Sequence, residues 1–398
     1  MSTRPVLRVA MIGYGFMGAA HSQAWRTAPR VFDLPLDVEM AVVVGRNADA
    51  VADAAAKWGW AESATDWREV IVRDDIDVVD IVTPGGSHAE IAIAALEAGK
   101  HVMCEKPLAN AVAEAEAMTD AAERASARGI RSMVGFTYRR VPAVTLMRDL
   151  IAEGRIGRVQ QVRASYRQDW LVDPEMPLGW RLQKEHAGSG ALGDIGAHAI
   201  DLAQFVTGQD LTSVSGVLET IVSERPVQGT GSGLSGTAGE GRGPVTVDDV
   251  AIFTGRFASG VLASFEATRF ATGRKNALAI EVSGDRGALA FDFEDLNVLQ
   301  WYDRTAPSEV QGFTRIIATE PEHPYVAAWW PAGHMLGYEH GFSHQVKDLV
   351  EAIDDGTDPH PSFAEGLHVQ RVLAAVEQSS ADDSAWVRVG ADALAPTA

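Results

Sequence analysis

Short apolar runs alternate with helically spaced stretches through the first third of the chain. Residues 7–12 form an apolar run that leads directly into Gly13-Tyr14-Gly15-Phe16-Met17-Gly18, and residues 19–27 then have helical spacing. Further apolar runs occupy 38–44, 78–82, 101–104 and 130–136. Helical patterns fill 88–98, stopping at Gly99, and a stretch reaching Arg128 and Gly129, with Asn110 placed as its N-cap. Strands alternating with helices in this way predict a parallel sheet wound on both faces. After about residue 140 the pattern changes. Apolar alternation over 159–166, 213–220, 251–257, 261–267, 278–283 and 288–293, with turns such as Ala258-Ser259-Gly260 and Gly284-Asp285-Arg286-Gly287, predicts a large, mostly antiparallel open sheet. Residues 342–353 and 363–378 read as closing helices.

The expected organisation is therefore α/β, with a doubly wound domain over 1–136 and an α+β substrate and oligomerisation domain over 137–398. Within the latter, 223–244 is rich in Gly, Ser and Thr and reads as a flexible surface insertion. No repeat of solenoid period is visible.

Composition narrows the function classes. The 398 residues carry 34 basic and 54 acidic side chains, a formal net charge of −20. Such a surface repels nucleic-acid phosphates and anionic lipid, so neither is expected as a partner. Cys104 is the single cysteine, which excludes an intrachain disulfide and fits a reducing compartment. No run of about 18 apolar residues predicts a membrane helix. Residues 1–10 pass into a strand pattern without the apolar core of a secretory signal, so a cytoplasmic address is expected.

The first candidate chemistry is G-x-G-x-x-G, which here follows a strand and opens a helix. Gly13 allows the tight turn, Gly15 lets backbone approach a pyrophosphate, and Gly18 lets helix and strand pack closely. The helix N-terminus adds N–H groups and positive potential. Phe16 and Met17 lie within this cradle and are candidate cofactor contacts. At the end of the second strand, Val44-Gly45-Arg46-Asn47 offers no acid for a ribose hydroxyl. Arg46 suits adenine or a 2′-phosphate, so these residues by themselves lean slightly towards NADP or dual use.

The later strand ends converge on the same sheet edge, where doubly wound sheets bind ligands. Thr83-Pro84 with His88, and Glu105-Lys106-Pro107, are the candidates there. Glu105 can accept from a ribose hydroxyl and Lys106 can reach a substrate oxygen. Pro107 predicts a fixed turn, with a cis bond as one way to make it. Further on, Asp194 and His198 stand four apart and share a face on a helix. Such a pair can take a hydroxyl proton, with His as acceptor and Asp as orienter. It can also be two of a metal's ligands, or a satisfied structural pair. No cysteine or second histidine stands at ligand spacing, so no metal is expected.

Taken in order, the glycine cradle, Thr83-Pro84 with His88, Glu105-Lys106-Pro107 and Gly193-Asp194 through His198 and Asp201 resemble the glucose-fructose oxidoreductase / inositol dehydrogenase / MocA-like family. The resemblance implies an N-terminal Rossmann domain, a C-terminal domain with a mostly antiparallel sheet, and a homodimer or homotetramer. It implies NAD(P)-linked oxidation of a secondary alcohol on a sugar, anhydrosugar or cyclitol, with Lys106, Asp194 and His198 catalytic. It also places Tyr138 and Arg139 beside nicotinamide and substrate. Tyr166 to Trp170, Gly179-Trp180-Arg181 and Trp329-Trp330-Pro331 look like the levoglucosan-dehydrogenase-like branch, which implies NAD as cofactor. Tyr166, Trp170, Arg181, Trp330 and His334 are then candidate substrate contacts, Trp faces suiting the C–H face of a sugar. Family branches also include a glycosidase that uses NAD transiently and a dinucleotide-sensing regulator without catalysis.

Overall fold

A computed structural model describes residues 4–229 and 237–390. The chain divides into two compact units, Met1–Arg140 with Ala328–Trp330 and Leu336–Leu367, and Val141–Ala327 with Pro331–Met335 and His368–Ala398.

In the first unit β1 (Val6–Ile12), α1 (Phe16–Val31), β2 (Asp37–Val44), α2 (Ala48–Trp58), β3 (Glu62–Ala64), α3 (Trp67–Ile71), β4 (Val78–Ile81), α4 (His88–Glu97), β5 (His101–Cys104), α5 (Val112–Ser126) and β6 (Ser132–Val134) follow one another. The six strands form one parallel sheet in the order β3-β2-β1-β4-β5-β6. Order reverses between β1 and β4, the switch point at which such sheets open a ligand crevice. Gly99 ends α4 at φ 78°, as its place after the helix predicts. Asn110, by contrast, is not the cap of α5. The helix starts two residues later, and the Glu114 carboxylate reaches back to accept from the N–H of both Asn110 and Ala111 at 3.2 Å.

In the second unit α6 (Pro142–Ala152), β7 (Val159–Arg167), α7 (Lys184–Ala187), α8 (Ala197–Thr207), β8 (Leu211–Glu219), β9 (Glu224–Gln228), β10 (Ala238–Pro244), β11 (Val250–Phe257), β12 (Leu262–Thr268), β13 (Ala277–Gly284), β14 (Gly287–Asp292), β15 (Val298–Asp303) and β16 (Phe313–Ile317) follow. The remaining elements are α9 (His340–Asp355), α10 (Phe363–Ala381) and β17 (Val387–Arg388). Nine strands make one sheet, β16-β15-β14-β13-β7-β12-β11-β8-β17, in which β7 and β12 are parallel and the other pairs antiparallel. Alternation puts Phe253 and Phe265 inside, stacked at 4.6 Å, and leaves Val217, Ile252 and Leu262 on the outer face.

Two boundaries differ from expectation. By sequence position the helix α9 falls in the 137–398 domain, but it belongs to the first unit. Its Phe342, Val346, Leu349 and Val350 share one core with Trp25, Ala28 and Leu34. Arg140 ties the end of the N-terminal stretch to Asp348 at 2.7 Å, and Thr137 donates to Gln345 at 2.7 Å. The second difference is the Gly-rich insertion. Glu224–Gln228 and Ala238–Pro244 pair as an antiparallel hairpin rather than a free excursion. Arg225 anchors it. Fully buried, it donates to the carbonyls of Asp173 and Leu171 at 2.7 Å. The rest of that insertion, 230–236, lies outside the described residues.

Candidate active site

In the first unit the turn after β1 is shaped by its glycines. Gly13 has φ 112°, and a Cβ there would lie 2.9 Å from the Val82 carbonyl oxygen. A Cβ on Gly18 would lie 2.8 Å from the Gly13 oxygen, so α1 can approach β1 only without one. Gly15, the N-cap of α1, has nothing within 4 Å of the same position. Two glycines closed by backbone and one left open is what a pyrophosphate on a helix N-terminus requires. These residues therefore fit a dinucleotide.

Beside the cradle, a Cβ on Gly45 would fall 2.0 Å from the Tyr14 ring, so Tyr14 lies against the end of β2. Arg46 is exposed, and Asn47 caps α2 by accepting from the Ala50 N–H at 3.0 Å. Met17 packs partly against the first unit's core, whereas Phe16 is 67% exposed and stacks on Tyr338 at 6.4 Å. Tyr138 reaches the same Tyr338 ring at 6.5 Å. Burial, Tyr138 and Glu105 together push the Tyr338 phenol up, which keeps it neutral. No sequence motif marks Tyr338.

Three residues expected at the cofactor or substrate are buried. His88 is buried, its ring nitrogens 2.8 Å from the Thr83 oxygen and 3.1 Å from the Pro107 oxygen, so it ties two strand-end loops together. Burial pushes its pKa down. Glu105 is buried with one oxygen 3.0 Å from His21 and the other accepting from the Lys106 N–H at 3.2 Å. Arg139 is buried against Glu365 at 2.6 Å. Thr83 accepts from the Ser87 hydroxyl at 2.7 Å beside half-exposed Pro84. Lys106 follows Glu105, and the Lys106–Pro107 peptide is cis. Trp330 is half-exposed, tilted against Trp329 at 6.2 Å, and the Trp329 indole donates to His344 at 2.8 Å.

The second unit brings four of the expected residues together. Asp194 sits in a single π turn, Leu192–Gly196, that opens α8, and His198 follows on α8. Such wide turns are frequent at functional sites. Asp248 fixes this one, accepting from the Gly190 and Leu192 N–H groups at 2.7 Å each. A Cβ on Gly190 would be 1.8 Å from the Asp248 carbonyl oxygen, which explains that glycine. The His198 and Tyr166 rings meet at 5.8 Å. Tyr166 donates to the Asn276 side-chain oxygen at 2.6 Å, Gln168 donates to that same oxygen at 2.8 Å, and the Trp170 indole donates to Gln168 at 2.9 Å. Arg269, wholly buried, donates to Asp194 at 3.1 Å and lies over the Trp170 ring at 5.4 Å.

Arg269, Asn276 and Gln168 are what sequence reasoning missed. Only Gln168, inside the Tyr166–Trp170 segment, carried a signal. Arg181 stacks on Trp180 at 4.3 Å, and His334 is exposed with its ring 2.8 Å from the Pro331 oxygen. Among the described residues neither makes a contact to the Asp194 cluster. Among the described residues no group of three His, Cys, Asp or Glu side chains could hold a metal, and no helix is long and apolar enough to cross a membrane.

Comparison with known proteins identifies the family. Residues 7–135 match the model of an oxidoreductase family with an NAD-binding Rossmann fold, and 144–290 match the GFO/IDH/MocA C-terminal domain. Levoglucosan dehydrogenase of Pseudarthrobacter phenanthrenivorans is 44% identical over 388 residues, 96% of this chain and 98% of that protein. A structure of a levoglucosan dehydrogenase with NADH and levoglucosan has a TM-score of 0.90 at 42% identity, covering 96% of this chain and 99% of the other. An oxidoreductase domain protein from Kribbella flavida is 63% identical with a TM-score of 0.92, covering 97% and 100%. The chain belongs to the GFO/IDH/MocA family of oxidoreductases, and its N-terminal unit is that family's NAD-binding Rossmann fold.

Proposed function

We propose that this enzyme oxidises a secondary alcohol of levoglucosan, or of a closely similar sugar, to the ketone with NAD as acceptor. The observation that carries the reading is the second unit's cluster, an Asp194–His198 pair with Asp194 bound to a buried arginine and with Tyr166 and Trp170 beside it. Full-length similarity to a levoglucosan dehydrogenase supports the substrate class.

NAD, when bound, supplies the hydride acceptor. The chain's own residues do the rest. The substrate hydroxyl must lose a proton as the C–H bond breaks. His198 accepts that proton, and Lys106 stabilises the negative charge growing on the oxygen. Asp194, bound to Arg269, holds His198 or accepts from a neighbouring sugar hydroxyl. Trp170, its indole N–H committed to Gln168, offers an apolar face for ring C–H groups.

The test is a panel of anhydrosugars, pyranoses and cyclitols with NAD and NADP, followed by cofactor reduction and product analysis. Levoglucosan with NAD should give one ketone per NADH. Sugar release without net NADH would replace this reading with transient-oxidation glycosidase chemistry. Cofactor binding with no turnover on any polyol would replace it with a sensor.

A further inference from the structure

His21 stands one turn into α1, buried between two carboxylates. Its Nδ1 lies 2.9 and 3.0 Å from the two oxygens of Asp80, and its Nε2 lies 3.0 Å from Oε1 of Glu105. Its side chain is 1% exposed, that of Asp80 is 0% and that of Glu105 is 6%. The Trp25 indole donates to Asp80 at 2.7 Å. The other Glu105 oxygen accepts from the Lys106 N–H at 3.2 Å. A Cβ on Gly135 would lie 2.8 Å from Oε1 of Glu105, so that glycine leaves room for the carboxylate.

An ionised carboxylate only accepts hydrogen bonds, and a neutral imidazole has one N–H to give. Both contacts are satisfied together when both ring nitrogens carry protons. Burial works against that charge, but Asp80 and Glu105 outweigh it and the pKa is pushed up to about 10. Glu105 is thereby held at both oxygens, one by His21 and one by the peptide of Lys106. The same helix that begins at the pyrophosphate cradle thus grips the peptide from which Lys106 projects.

We propose that His21 is a positioning residue for the redox reaction: its ring, clamped as a cation between Asp80 and Glu105, fixes the peptide that presents Lys106. The proposal rests on the reading of Lys106 as catalytic given above. The charged groups facing the ring are Asp80 of β4 and Glu105 after β5. Helix α9 contributes the apolar ring of Phe342 at 5.4 Å, and α1 itself Trp25. Asp80→Asn therefore removes one of the two charges that keep His21 protonated while preserving shape and the contact to Glu105.

The experiment compares wild type, His21→Gln, Asp80→Asn and Lys106→Met on the sugar that wild type turns over best. It measures kcat against pH, NAD affinity by protein fluorescence, and Tm. Lys106→Met should lose at least about a hundredfold in kcat. His21→Gln should lose on the order of ten- to a hundredfold in kcat, as misplacement of a reacting group does, while still binding NAD. Asp80→Asn should match the wild-type kcat at low pH and fall below it as pH rises through the lowered His21 pKa. A wild-type kcat and pH profile in both clamp variants, with Lys106→Met inactive, would overturn the proposal. Full activity in Lys106→Met would overturn the catalytic reading beneath it instead. Isotope-edited histidine NMR of the intact wild-type enzyme decides the matter even if neither clamp variant folds. The His21 ring should be doubly protonated between about pH 7 and pH 9, where an ordinary histidine is neutral, and a neutral ring there would refute the clamp.

Discussion

Replacing Gly15 by alanine separates cofactor binding from folding. Gly15 has φ −72° and ψ −154°, a conformation open to any residue, and an added Cβ meets nothing within 4 Å. In the free protein two small effects oppose each other. Alanine reduces the freedom of the unfolded chain by about 0.4–1 kcal/mol, and it is a poorer N-cap than glycine by a similar amount. The free-protein Tm should therefore move little. The added methyl does project where pyrophosphate must touch backbone. Overpacking by one methyl costs about 1–3 kcal/mol, which at 1.4 kcal/mol per tenfold is a five- to 150-fold loss of NAD affinity. At NAD one hundredfold above the wild-type Kd, binding stabilises the wild type by about 2.7 kcal/mol. A variant weakened a hundredfold keeps about 0.4 kcal/mol, so the NAD-induced rise in Tm shrinks from several degrees to about one. Thermal shift with and without NAD, beside a direct Kd, is the assay. Gly18→Ala is the contrast, because its Cβ meets the Gly13 oxygen at 2.8 Å and should lower both quantities. If Gly15→Ala binds NAD as wild type does, the pyrophosphate is not at this turn and the cradle argument fails.

Two further predictions concern folding. Gly190→Ala must push a methyl into the Asp248 backbone, 1.8 Å away, and should cost at least about 3 kcal/mol in chemical unfolding with loss of the Asp194 turn; a variant as stable as wild type would refute that packing. His344 is buried, and burial holds its pKa down to about 3 although the Arg140 carbonyl and Asp348 pull the other way. A base depressed in the folded state contributes stability that is complete above its ordinary pKa and is lost as pH falls from about 6.5 toward 3, by about 1.4 kcal/mol per pH unit. Lowering the pH from about 7 to about 5 should thus destabilise wild type by about 2 kcal/mol more than His344→Gln, and equal slopes would contradict the buried neutral ring.

Much of the first unit was legible because a doubly wound sheet writes its strands as continuous apolar runs and its turns as glycines. The glycine cradle, the strand-end pairs and the Asp194–His198 spacing all stood out for that reason. What escaped was set by distance along the chain. Arg269 meets Asp194 across 75 positions and Asn276 meets Tyr166 across 110, with no local pattern to announce either. The amphipathic α9 was legible as a helix, but nothing in its apolar stripe says which core receives it. Asn110 shows the limit of cap rules, since Glu114 four residues on satisfies the same backbone donors from inside the helix. Residues 223–244 misled through composition: Gly and Ser predicted freedom, yet one buried arginine, Arg225, tethers the hairpin to two carbonyls. Glu105 and His88 stand at the sheet edge their sequence positions predict, but their buried hydrogen bonds to His21, Thr83 and Pro107 have no local sequence signal.

Isotope labelling separates direct hydride transfer from a sugar carbinol carbon to NAD, with net oxidation of the sugar, from the rival chemistries. Levoglucosan carrying deuterium at its carbinol carbons should yield deuterated NADH and, in equal amount, a ketone that has lost one deuterium, read by mass spectrometry. Sugar consumed without deuterium appearing in the cofactor would contradict it.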